Sequence, residues 1–166
     1  IHQDPRTLYP GRGFLHEIGD GAGKGYTVNV TLPPFSGDHE YEMALSKVFR
    51  PLVKQFEPQV IIRNGGSDPH FSDGLGNLNL TYSGLYTIGE SVREIASEVN
   101  APIINMSCSG YNPDTVAEGW YAIFTGLMGT QLDIIETEPE FEFHEEIEVE
   151  KIIEELAFTL EDYWAL

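Results

Sequence analysis

An α/β fold with a mainly parallel sheet is the class this sequence predicts. Strand-like and helix-like segments alternate three times, and each apolar strand run empties into a polar loop before the next helix. Such alternation favours parallel strands joined by helical crossovers. The chain of 166 residues, 41% of them apolar and 11% aromatic, is long enough for one domain with a single sizeable core.

Residues 1 to 25 are rich in Gly, Pro and Asp and read as an irregular loop. Tyr26 to Leu32 carries the alternating, β-branched pattern of a first strand, which Pro33, Pro34 and Gly37 end. Asp38 is placed to cap a helix running to about Phe56, with Tyr41, Leu45, Val48 and Leu52 as its apolar stripe. A second strand is expected from Pro58 through Ile62. Ser83 to Val99 reads as a helix with Leu85, Ile88, Val92 and Ile95 on one face, and Ile103 to Met106 as a short buried strand. Pro113 is placed for the first turn of a helix reaching about Met128, with Val116, Trp120 and Phe124 at four-residue steps. Residues 136 to 150 are strongly acidic. From about Glu145, Val149, Ile152, Ile153, Leu156, Leu160, Tyr163 and Trp164 mark an amphipathic terminal helix, expected to dock on the domain.

Charge narrows the function classes. With 27 acidic against 9 basic side chains, the formal charge of −18 opposes binding to nucleic acid or anionic lipid. No apolar run approaches a membrane span and no signal-peptide pattern opens the chain, so no membrane partner and a cytoplasmic location are expected. The lone cysteine, Cys108, has no internal disulfide partner and fits a reducing compartment. A chain opening Ile1-His2-Gln3-Asp4 is expected to continue something longer.

In open parallel α/β sheets ligands gather where loops leave the carboxyl ends of the strands. Two polar loops leave that edge here, "RNGGSDPHFSDG" (63–74) with Asp68 and "SCSGYNPD" (107–114) with Tyr111. An aspartate can ligate a metal through oxygen, and a tyrosine hydroxyl can stabilise a developing oxyanion. Taken alone, an aspartate in the place of Asp68 is more often a turn former or helix cap, and Tyr9 and Tyr26 read equally as packing aromatics.

Three motifs in order, "IHQDPRTLYPGRGFLHEIGDGAGKGYTVNVTLPP", "GGSDPHFSDGLGNLNLT" and "SGYNPDTVAEGW", resemble the second half of the zinc-dependent histone deacetylase superfamily, including its acetoin-utilisation-type members. The resemblance runs from Ile1 to about Met128. It implies an arginase/deacetylase-like three-layer fold, of which residues 1–166 form the carboxyl-terminal portion, and zinc-dependent hydrolysis of acetyl-lysine or acetyl-polyamine substrates. By that resemblance Asp68 is one of three zinc ligands and Tyr111 is the catalytic tyrosine on the substrate carbonyl. Tyr9 falls on a wall of the acyl tunnel and Leu75 at its rim. Tyr26 falls near a monovalent-cation site of the kind that holds potassium.

The resemblance also marks departures. Ser107, Cys108 and Ser109 stand where the family has glycines, so side chains are expected to crowd that loop; Arg63 replaces an apolar residue and Gly74 a proline. His70 invites assignment as a second ligand, a role the family does not give it, and His2 matches a structural histidine. Nothing near Cys108 supplies a base for a nucleophile. The tandem histidines and the Asp-x-His ligand pair belong to an amino-terminal half that this sequence does not contain. Activity is therefore expected to require that half as partner, with the chain alone inactive and either self-associating into an oligomer or staying partly molten. The alternative is a non-catalytic module that keeps the fold for binding or assembly.

Overall fold

The longest helical run is shaped by Pro51. It comprises α1 (Asp38–Ala44), a wider π turn (Leu45–Phe49) and α2 (Arg50–Phe56). Proline has no N–H to give to the carbonyl four residues back. The turn before it widens, Arg50 N bonding Leu45 O, and the ring is accommodated without breaking the run. The stripe expected for this run faces inward, with Tyr41, Leu45 and Val48 buried and Leu52 half-buried. The computed structural model describes residues 1–136, 139 and 146–166, so most of the acidic stretch expected at 136–150 lies outside the described residues.

Four strands are present among the described residues, in two parallel pairs. β1 (His2–Gln3) pairs with β2 (Thr31–Leu32), and β3 (Ile61–Gly65) pairs with β4 (Ile103–Ser107). The first strand is shorter than expected because Gly25 N and Thr27 N bond the carbonyl of Ile18 rather than a neighbouring strand. Its alternation survives, with Val30 and Leu32 both buried. β1 lies inside the stretch expected to be loop. β3 begins later than expected and takes in Arg63 and Asn64. Arg63 stays in the ladder because its guanidinium donates to Asn105 Oδ1 at 2.9 Å and to the Gly65 carbonyl at 3.2 Å.

α3 (Tyr82–Glu98) buries the expected face, Leu85, Ile88, Val92 and Ile95. Asp38 does not cap its own helix. Glu40 reaches back to Gly37 N there at 2.9 Å, while the Asp38 carboxylate accepts from Thr81 N at 2.8 Å and Thr81 Oγ1 at 2.6 Å at the start of α3. Thr81 in turn caps Ser83 N and Gly84 N.

α4 (Val116–Met128) differs from expectation at its start and on its face. Pro113 lies in a preceding turn, held by Thr115 N and Val116 N on the Asn112 carbonyl. Phe124 is 45% exposed, and the buried side is Gly119, Ala122, Ile123, Thr125 and Gly126. Glycines select that side. A Cβ on Gly126 would stand 2.2 Å from the Tyr86 carbonyl oxygen, and one on Gly89 would stand 2.2 Å from that of Ile123, so α3 and α4 meet backbone to backbone.

α5 (Glu146–Leu160) docks as expected, with Val149, Ile153, Leu156 and Leu160 in the core beside Val30, Leu32, Leu45 and Leu85. Beyond it Trp164 Nε1 donates to the Gly25 carbonyl at 2.6 Å. None of Ile61, Ile62, Ile103, Ile104 or Met106 belongs to that core, and Ile62, Ile104 and Met106 are exposed. No helix among the described residues is long and apolar enough to cross a membrane.

Candidate active site

The register Gly65 to Ser107 brings the loops after β3 and β4 to one edge. Small residues then let them touch. Ser67 N donates to the Ser109 carbonyl at 3.0 Å, and Gly110, at φ +130°, turns the second loop back over Ser67. A Cβ on Gly110 would stand 2.3 Å from Ser67 Oγ, and one on Gly119 of α4 would stand 2.4 Å from Ser67 Cβ. Ser67 is thus a buried knot between two loops and a helix, and Asp68 is the next residue.

Asp68 is half-buried, and its Oδ1 accepts a short hydrogen bond from Ser109 Oγ. Ser109, expected to crowd the loop, instead orients the carboxylate, while Trp120 Nε1 holds the Ser109 carbonyl at 2.8 Å. Among the described residues no three His, Cys, Asp or Glu side chains gather so as to hold a metal ion. The donor chemistry fits one zinc ligand from this chain, a carboxylate oriented through one oxygen, whereas a catalytic zinc site takes about three protein ligands and leaves a fourth position open.

Tyr111 is 56% exposed, and its backbone N–H donates to Asp73 Oδ2 at 2.7 Å. Leu75, 61% exposed, donates its N–H to Asp73 Oδ1 at 2.9 Å. Tyr9, 92% exposed, follows a segment held by Gln3, whose Nε2 donates to Thr7 Oγ1 at 2.8 Å and whose Oε1 accepts from Asn77 N at 2.7 Å. Polar contacts, part-buried at Gln3 and Asp68 and exposed at Asp73, thus tie the loops carrying Tyr9, Asp68, Leu75 and Tyr111 to one another. Tyr26 belongs elsewhere. It packs edge-on against Trp164 and Phe56, with centroids 5.5 and 6.2 Å away, beside an apolar cavity of about 690 Å³ that also touches Val48, Leu52 and Ile62.

His70 has both ring nitrogens engaged, Nδ1 with Ser72 Oγ at 2.8 Å and Nε2 with Glu136 Oε1 at 2.5 Å. The ring is buried and stacked on Tyr82, whose N–H donates to Glu136 Oε2 at 2.7 Å. The Ser72–His70–Glu136 chain has the makings of a hydrolytic triad, yet Ser72 Oγ is shared with Thr115 and Asn112, so its work is to fasten the loop. His2 pairs with the Gln3 carbonyl and Asn29, and Cys108 is exposed.

Charge beneath the site is unusual. Burial pulls the Arg63 guanidinium below its usual value, with Tyr41, Asp68 and Cys108 acting in the opposite sense. Burial pushes the Tyr41 phenol up to about 12, the Arg63 charge opposing and the Asp68 charge reinforcing that rise. Asp73, Gln3 and Glu136 are site-supporting residues that sequence reasoning missed. Only Asp73 carries a local signal, its "DG" turn.

The histone deacetylase domain profile matches residues 1–127. A probable deacetylase of Archaeoglobus fulgidus is 36% identical over 161 residues, 97% of this chain and 42% of that protein. Acetoin utilization protein AcuC of Staphylococcus aureus is 35% identical over 130 residues, 77% of this chain and 33% of that protein. The chain therefore spans well under half the length of these relatives. The solved structure of the histone deacetylase Clr3 superposes with a TM-score of 0.78 over 98% of this chain and 27% of that one, at 23% identity, which shows a shared α/β fold. With its strand-end loops and this match over most of its length, the chain belongs to the histone deacetylase domain family.

Proposed function

We propose that this chain supplies one metal ligand and the oxyanion donor of a cytoplasmic, zinc-dependent deacetylase acting on acetyl-lysine or acetyl-polyamine substrates, completed by the amino-terminal half of the same fold. The observation that supports this most is the bracing of Asp68 and Tyr111 on adjacent strand-end loops, through Ser109 and Asp73. A charge of −18 also draws cationic, amine-bearing chains toward the domain.

When bound, zinc supplies a Lewis acid that polarises the amide carbonyl and activates water. Asp68 would be the residue of this chain that holds it, its carboxylate kept in orientation by Ser109 Oγ. The Tyr111 hydroxyl donates to the carbonyl oxygen as negative charge grows on it, and keeps its proton throughout. Tyr9 and Leu75 flank the acyl chain and exclude water from it. Potassium is proposed near Tyr26, held by backbone oxygens of that segment.

The test is Tyr111→Phe in the assembled, zinc-loaded domain. Turnover of an acetyl-lysine peptide should fall on the order of a hundredfold to a thousandfold, with KM and zinc content unchanged. A loss confined to KM, or none, would make Tyr111 structural. A zinc-loaded wild type that hydrolyses neither acetyl-lysine nor acetyl-polyamine would replace the deacetylase reading with a binding module.

A further inference from the structure

Packing does not hold Tyr111 in place. More than half of its side chain is exposed, and the preceding Gly110 at φ +130° leaves the backbone a wide choice of directions. The Asp73 carboxylate fixes it instead. Oδ2 takes the Tyr111 N–H at 2.7 Å, and Oδ1 takes the N–H groups of Leu75 at 2.9 Å and Gly76 at 3.4 Å. A second brace lies beside it, Asn112 Nδ2 donating to the Ser72 carbonyl at 2.7 Å.

We propose that Asp73 is a positioning residue for Tyr111: its carboxylate sets where the tyrosine hydroxyl stands against the reacting carbonyl and couples that position to the Leu75 rim. The proposal rests on the reading of Tyr111 as oxyanion donor. An ionised carboxylate is acceptor-only, so its two oxygens can serve all three N–H groups, and hydrogen bonds to an ionised acceptor are roughly twice as strong as neutral ones. Asparagine has the same shape, but its NH₂ would face one of these N–H donors and leave that donor without a partner. A misplacement of the order of an ångström at a catalytic group can reduce rate about a hundredfold.

The experiment compares wild type, Asp73→Asn, Tyr111→Phe and the double variant in the assembled, zinc-loaded domain, with an acetyl-lysine peptide as substrate. Asp73→Asn should lower kcat about tenfold to a hundredfold at unchanged zinc content. In the Tyr111→Phe background the same change should add less than about twofold, because residues acting through one group are not additive. Losses that multiply would overturn the proposal, as would unchanged kcat in Asp73→Asn. Hydrogen exchange supplies a readout independent of turnover. The Tyr111 amide should exchange faster in Asp73→Asn while amides of α3 stay as in wild type, and an unchanged Tyr111 amide would overturn the proposal even if the domain proved inactive. Were Tyr111→Phe to abolish turnover while Asp73→Asn did not, the proposed function would stand and Asp73 would lose its role.

Discussion

Gly66 and Ser109 lie so close that a Cβ on the glycine would stand 1.7 Å from the Ser109 carbonyl oxygen. The obstacle is backbone, which cannot rotate away as a side chain can. Gly66→Ala should destabilise the domain by about 1–3 kcal/mol, the range for overpacking, and break the contact between Ser109 and Asp68. Gly65→Ala is the control, because a Cβ there would meet only the Arg63 guanidinium at 3.5 Å. Thermal melts of the two variants should diverge; equal melting temperatures would show that the loops can separate freely.

Asp68→Ala should empty the assembled domain of most of its zinc, measured by elemental analysis after gel filtration. Ser109→Ala is a milder version. Without its hydroxyl the Asp68 carboxylate loses its orienting partner, and zinc affinity should drop about tenfold to a hundredfold. Zinc content equal to wild type in Asp68→Ala would remove Asp68 from the site.

Tyr41 gives the alkaline stability a slope. The phenol is pushed up to about 12 in the fold against an ordinary value of 10.0. Below pH 10 both states keep the proton and the contribution is complete. Between pH 10 and 12 the unfolded chain sheds it while the folded one holds it, so stability falls as pH rises, by about 2–3 kcal/mol in all. Denaturant midpoints of Tyr41→Phe should decline less steeply across that window. Parallel declines would mean that Tyr41 ionises freely in the fold.

Leu156 is fully buried in the face that α5 turns to the core. Leu156→Ala should cost about 2–5 kcal/mol in chemical denaturation. A loss below ~1 kcal/mol would show that the terminal helix is held by its polar ties instead, such as Lys47 to Glu150 at 3.1 Å.

Periodicity made the helices legible, because apolar spacing in α3 and α5 answers directly to one buried face. It misled for α4, where Gly119 and Gly126 choose the packed side by allowing backbone contact, a signal that hydrophobicity does not carry. The end of β3 was misplaced for a related reason. Arg63 looks like a strand terminator until Asn105, 42 residues away, gives its guanidinium a partner. The loops of Asp68 and Tyr111 could be seen in sequence as polar exits from apolar strands. Their braces could not, since Gln3 to Asn77, Asp73 to Tyr111 and His70 to Glu136 span 74, 38 and 66 residues. No local pattern encodes such pairs.

The exclusion of β3 and β4 from the main core separates the molecule's endurance from its precision. Most of the apolar burial resists unfolding from the side of α1, α3 and α5, whereas the strand pair that aims Asp68 and Tyr111 is held mainly by its own ladder and a few polar bonds. Segments with few buried apolar contacts open at lower free energy than the global transition. Warming this chain on its own should therefore blur the geometry of the loops while the helices are still intact, so that the onset of local opening is set by a five-residue ladder rather than by the global melt.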